Sequence, residues 1–170
     1  MEYLLKKWEP GDADAIAIHA NNKKIGDNLR DGFPYPYTKG DALDFIESCI
    51  GGDVEGKMHR AIVVDGQAVG SIGLFVQDNV YRMSAEIGYW LGEPFWGKGI
   101  VTKAVKQICA EGFLRYDIVR IYAEPYAYNT GSRRVLEKAG FTLEALLRNS
   151  VVKNGKVMDS CIYSILKEEF

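Results

Sequence analysis

The chain predicts an α+β layer fold: a mixed, mostly antiparallel sheet of seven strands with about four helices. Three observations carry this. Segments that alternate apolar and polar residues flank Asp65-Gly66 and Asn154-Gly155, dipeptides that tolerate the positive φ values of tight hairpins. The stretch from Gly99 to about Leu114 instead repeats its apolar residues at helical spacing. A strand candidate, VRIYAEP (119–125), follows that helix, so strand, helix and strand come in the order of a single parallel crossover.

Taken in order, EYLLKKW (2–8) reads as a short first strand, and Asp12 as the N-cap of a helix through DADAIAIHANN, with Ile16 and His19 or Ala20 on one side. A loop containing GFPYPYT (32–38) leads to a second helix over DALDFIESCI, ending at Gly51-Gly52. HRAIVVD and QAVGSIGLFV form the first hairpin, and YRMSAEIGYWL adds a further antiparallel strand. In that strand Ala85, Ile87, Tyr89 and Leu91 alternate with Ser84, Glu86, Gly88 and Trp90. The next helix places Val101, Ala104, Val105, Ile108 and Cys109 on one face, with Lys103, Lys106 and Glu111 off it. After VRIYAEP, Asn129 caps a helix that runs through Ala139 and stops at Gly140. FTLEALLRNSVV and KVMDSCIYSIL close the sheet around Asn154-Gly155.

Length and charge narrow the function. A chain of 170 residues is expected to form one domain over 1–170, and it shows no internal repeat or linker. Its 21 Lys+Arg against 23 Asp+Glu give a net charge of −2, which offers no long-range attraction to nucleic acid or an anionic membrane. Cys49, Cys109 and Cys161 lack the spacing of a disulfide framework or zinc site, and His19 and His59 are too isolated to hold a metal. No apolar run approaches a membrane span or signal peptide, so a cytoplasmic protein is expected.

LGEPFWGKGIVTKAV (91–105) carries the chemistry. From Gly92 it begins like a nucleoside-triphosphate loop, but Lys98 is followed by Gly99, where the Ser or Thr that holds Mg²⁺ would stand. From Gly97 it begins like a dinucleotide fingerprint, but the third glycine position is Thr102, and the preceding strand does not open a βαβ unit. What remains is a strand, a glycine turn and a helix N-terminus. Gly97 and Gly99 let the backbone approach closely while free N–H groups point at an anion.

EIGYWLGEPFWGKGIVTKAV, NTGSRRVLEKAGF (129–141) and GKVMDSCIYSIL together resemble the GNAT superfamily of N-acetyltransferases, in its Rim-type branch of ribosomal-protein-alanine N-acetyltransferases. The resemblance covers nearly the whole chain. It implies the GNAT fold, splayed between strands 4 and 5, with acetyl-CoA in the gap and the acceptor amine entering from the opposite side. The superfamily's loop pattern falls on Trp96, Gly99 and Val101; Trp96 is usual in the Rim-type branch, whereas Val101 is branched where a small residue is commoner. By this resemblance the backbone around Tyr89 and Leu91 meets the pantetheine, and residues 96–102 (Trp96, Gly97, Lys98, Gly99, Ile100, Val101, Thr102) surround the phosphates. Asn129 would hydrogen-bond the cofactor, a role compatible with capping its helix.

Acyl transfer to an amine needs a base for the nitrogen and a proton for the departing thiolate. Glu86, a carboxylate in an otherwise apolar strand, stands where the branch often carries its glutamate and is the candidate base, directly or through water; the alternative is a solvent-facing residue paired across the strand. The tyrosine acid of many superfamily members is replaced by Leu136. The branch offers Ser132, three residues after the asparagine, with Tyr128 a weaker substitute. Phe33, Tyr35 and Tyr37 would line the acceptor pocket or pack their loop, and Lys98, Lys103 and Lys138 would meet CoA phosphates or simply be solvated. The acceptor expected is a primary amine, a protein N-terminus or a small amine. No metal is expected, and a strand edge near the C-terminus could pair two copies as a homodimer. A CoA-binding sensor or scaffold without turnover is the rival reading.

Overall fold

The computed structural model describes residues 1–51 and 54–170, and of Val54 the backbone alone. Seven strands, β1 (Leu4–Lys6), β2 (Lys57–Val64), β3 (Gln67–Val76), β4 (Ser84–Leu91), β5 (Arg120–Ala123), β6 (Thr142–Lys153) and β7 (Lys156–Leu166), form one sheet in the order β1-β2-β3-β4-β5-β7-β6. All neighbours are antiparallel except β4 and β5. The helices are α1 (Ala13–Ala20), α2 (Lys23–Gly26), α3 (Lys39–Cys49), α4 (Ile100–Arg115) and α5 (Thr130–Ala139).

Both hairpin turns form as their residues dictate: Asp65 and Gly66 take φ of 49° and 78°, and Asn154 and Gly155 take 51° and 75°. The α5 boundaries also follow from local chemistry. Asn129 accepts from the Ser132 N–H at 3.2 Å, and Gly140 closes the helix at φ 99°.

Four details differ from expectation. The first strand keeps only three residues, because β2 offers it partners at Ala61, Ile62 and Val63 alone. Asp12 stands before α1 but does not cap it by its side chain; the carboxylate turns back to accept from the Glu9 N–H at 3.0 Å and pairs with Lys6 at 2.9 Å. A fifth, short helix, α2, appears because Asn22 accepts from the Lys24 N–H at 2.9 Å and starts a new turn where α1 was expected to continue. α3 begins earlier, at Lys39, since Thr38 and Asp41 form a capping box; it ends at Cys49, and of the expected terminator Gly51-Gly52, Gly52 lies outside the described residues.

The sheet carries a core on each face. On one, α4 and α5 cover Ile72, Leu74, Ile87, Ile121 and Tyr163; on the other, α1 and α3 cover Ala61, Val63, Ala68 and the loop residue Tyr37. Gly112 sets how closely α4 sits. A Cβ there would lie 2.3 Å from the Leu74 methyl Cδ2, so only hydrogen fits at this helix–sheet contact.

Candidate active site

The site grows from an interruption in the sheet. β4 and β5 run parallel only through Ser84↔Arg120, Ala85↔Ile121 and Glu86↔Tyr122; thereafter β5 ends and its chain follows β7, with Cys161 N–H donating to the Pro125 carbonyl and Ala127 N–H to Asp159. Among the described residues, the C-terminal half of β4 thus has no strand partner on that side. Along β4 the even-numbered residues face β3: Ser84 O accepts from Gln77 N–H, and Gly92 N–H donates to Val69 O. Backbone groups alternate in an antiparallel ladder, so those of Tyr89 and Leu91 face the gap. One of these is already used, since the Trp96 indole donates to the Leu91 carbonyl at 2.6 Å and clamps the loop to the strand end.

The loop then delivers a helix N-terminus beside the gap. Gly97 and Gly99 take φ of 72° and 74°, and a Cβ on either would meet nothing within 4 Å, so the ground above this turn is open. The amides of Ile100, Val101 and Thr102 open α4, where no preceding turn exists to accept from them. Ile100 is buried and Val101 packs against the core, so both present only backbone to the loop surface. Lys98 lies over the Phe95 ring, 5.5 Å from its centroid. An unpaired strand edge adjoining open N–H groups at a helix start fits a pantetheine arm and a pyrophosphate.

The candidate catalytic groups lie on opposite faces of β4. Tyr89 belongs to the α4/α5 face, and its hydroxyl lies 2.8 Å from Ser132 Oγ in the first turn of α5. Burial holds the Tyr89 phenol well above its ordinary pKa, an effect that the hydrogen bond to Ser132 opposes. Glu86 points to the other face. There Oε1 meets the Arg30 guanidinium at 2.6 Å, and Oε2 accepts from the Tyr122 hydroxyl at 3.3 Å. Burial, and then the negative charge of Glu86, raise the Tyr122 pKa. Gly88, next on this face, is exposed with no atom within 4 Å of where its Cβ would be, leaving free space beside the carboxylate.

The loop after α2 roofs this face. Tyr126 and Tyr128 stack with centroids 6.1 Å apart, and their hydroxyls donate to the carbonyls of Leu29 and Asp27. Beyond Arg30 an open cleft of about 410 Å³ is lined by Asp27, Asp31, Phe33, Tyr35, Lys153 and Asn154, among others. The three aromatic residues of the 32–38 loop therefore divide. Tyr35 is exposed in the cleft; Phe33 lines it and packs edge-on to Trp90; Tyr37 is buried in the α1/α3 core, where its pKa is pushed up to about 12. Tyr37 thus packs the loop against the sheet.

Leu136, at the superfamily's tyrosine position, is fully buried in the core, and the three cysteines are buried and free. Among the described residues no cluster of His, Cys, Asp and Glu could hold a metal ion, and no helix is long and apolar enough to cross a membrane. Arg30, Tyr122, Gly88 and the Tyr89 hydroxyl escaped the sequence reading. The alternation along β4 hinted at Gly88 and Tyr89 alone, since it puts Glu86 and Gly88 on one face and Tyr89 on the other; no sequence signal pointed to Arg30 or Tyr122.

Comparison with known proteins agrees with this geometry. Residues 3–142 match the family described as an acetyltransferase (GNAT) domain. The chain is 36% identical over 174 residues to a putative ribosomal N-acetyltransferase, YdaF, of Bacillus subtilis (strain 168), covering 98% of this chain and 92% of the relative. It is 29% identical to an uncharacterized N-acetyltransferase, p20, of Bacillus licheniformis, covering 98% and 93%. Among solved structures, the Microcin C7 self immunity acetyltransferase MccE, in complex with acetyl-CoA and AMP, superposes with a TM-score of 0.84 at 27% identity, covering 97% and 92%. Mycobacterium smegmatis RimJ, in complex with a CoA-disulfide, does so with 0.87 at 25% identity, covering 99% and 83%. The chain belongs to the GNAT family of acetyltransferases. It is an acetyl-CoA-dependent N-acetyltransferase, with acetyl-CoA as its co-substrate.

Proposed function

We propose that the protein transfers acetyl directly to the free N-terminus of a protein, with Glu86 as the base and Ser132 as the proton donor. The observation that carries the reading is the placement of these two residues on opposite faces of β4 at the start of its unpaired segment, Glu86 beside open space at Gly88 and Ser132 against Tyr89. Bound acetyl-CoA supplies an activated acetyl thioester on one side of the gap. From the other side, Glu86 takes the proton of the attacking nitrogen, directly or through water. Ser132 hydrogen-bonds the leaving sulfur, and Asn129 fixes the helix turn that carries the serine. Gly97, Gly99 and the α4 amides, with Trp96 clamping their loop, hold the phosphates; Tyr89 and Leu91 offer backbone to the pantetheine. Lys98 and Thr102 flank that anion.

An α-amino group has a pKa of about 7.7–8.0 against about 10.4 for lysine, so the base has less work to do for a protein N-terminus. The name of the 36%-identical relative supports a ribosomal acceptor, and the cleft between Tyr35, Asp31 and Lys153 offers aromatic and charged surface for the residues that follow a protein N-terminus. Acetyl-CoA-dependent thiol release should be measured with two acceptor sets: short peptides with free Ala or Ser N-termini, and small amines including spermidine and amino sugars. Turnover of peptides that disappears when their N-terminus is blocked is expected. Turnover confined to small amines would overturn the acceptor, and saturable acetyl-CoA binding without thiol release on any amine would mark a sensor module instead.

A further inference from the structure

We infer that the Tyr89 hydroxyl is a positioning residue for proton delivery: it donates to Ser132 Oγ, so that the serine's own proton is left to point at the leaving sulfur. The inference rests on Ser132 as the donor proposed above and assigns to the β4 tyrosine a task beyond its backbone contact. A buried phenolic O–H requires an acceptor, and the two within reach are Ser132 Oγ at 2.8 Å and the Ser132 carbonyl at a poor 3.4 Å. The shorter contact wins. A serine hydroxyl has one proton and two lone pairs, so accepting from Tyr89 leaves its donor free.

One competing arrangement is suppressed by this contact. A serine in a helix tends to turn its hydroxyl back to the carbonyl four residues earlier, which would hide the proton from any ligand. Ser132 is instead drawn toward β4, while Asn129 bonds its backbone N–H and not its hydroxyl. The tyrosine also stays protonated under working conditions, because burial raises its pKa. It therefore acts as a fixed donor and does not titrate. The hydroxyl absent from α5 at Leu136 is supplied from the facing strand, beside the segment of β4 left open by β5.

The step balances without another reactant. As the carbon–sulfur bond breaks, its electron pair goes to sulfur, and the Ser132 proton moves to or shares with that sulfur. The Tyr89 O–H steadies the charge developing on Oγ, and the serine regains its proton from solvent. The new carbon–nitrogen bond forms as Glu86 removes the amine proton.

The test compares Tyr89→Phe, Ser132→Ala and the double variant. Thiol release is read with a free N-terminal alanine peptide as acceptor and with water alone, since both routes break the same bond. CoA affinity, measured by calorimetry, verifies that each variant folds and binds. Tyr89→Phe is expected to lower kcat about tenfold with CoA affinity within threefold, and the double variant to fall no further than Ser132→Ala alone. A Tyr89→Phe enzyme within twofold of the parent, or losses that multiply in the double variant, would overturn the inference. A fully active Ser132→Ala enzyme would instead remove the donor assignment on which it stands.

Discussion

Glu86 sits between unequal neighbours: an Arg30 side chain that is 76% exposed and a Tyr122 hydroxyl fixed on the adjoining strand. The exposed guanidinium is easily displaced, because pairs at such surfaces contribute little. Replacing Glu86 by Gln keeps the shape and removes the base, so kcat/KM at neutral pH should fall about 10²-fold, the scale of a lost general base. A rate within threefold of the parent in steady-state assays would exclude this role. A second prediction concerns His19, which packs edge-on to Phe95 at 5.4 Å and whose pKa is lowered by burial. Its folded pKa lies below its unfolded value near about 6.5, so between the two the unfolded chain binds more protons and stability falls as pH drops. His19→Gln should lose less Tm than the parent between pH 7 and pH 5 in thermal scans; an equal loss would mean that the imidazole does not contribute.

At the scale of elements, α4 joins function to stability. Its N-terminus depends on Gly99, whose φ of 74° strains any branched residue, while its middle depends on Gly112 against Leu74. Gly99→Val should abolish CoA binding by calorimetry with the far-ultraviolet circular dichroism unchanged; tight binding would refute the loop's role. Gly112→Ala should cost about 1–3 kcal/mol in urea unfolding as the Leu74 side chain is pushed aside, and an unchanged midpoint would contradict the packing. Helix starts and stops were legible wherever a local signal acted alone, as at Asn129 and Gly140. They failed at Asp12 and Asn22, where nearby donors compete for one side-chain acceptor: the Asp12 carboxylate was claimed by the Glu9 N–H and Lys6, and Asn22 accepted from Lys24 and opened a helix of its own.

In the whole molecule, the β2-β3-β4 and β6-β7 neighbours and the parallel β4/β5 pair follow from hairpin connections and one crossover, features written in local sequence, whereas the pairing of β1 with β2 and of β5 with β7 is set at long range. The site is only half local. Glu86, Asn129, Ser132 and the glycine loop stand in recognisable segments, whereas Arg30 meets Glu86 across 56 positions and Tyr89 meets Ser132 across 43. Such pairs are set by how the faces of the sheet are covered, which no spacing within a segment records. The proposed mechanism brings two substrates to one gap from opposite sides, and it predicts direct transfer with both bound. Initial velocities measured with acetyl-CoA and a free N-terminal alanine peptide varied together test that most directly. Intersecting double-reciprocal lines are predicted; parallel lines, with thiol released before the peptide is added, would show an acetylated enzyme and contradict the account.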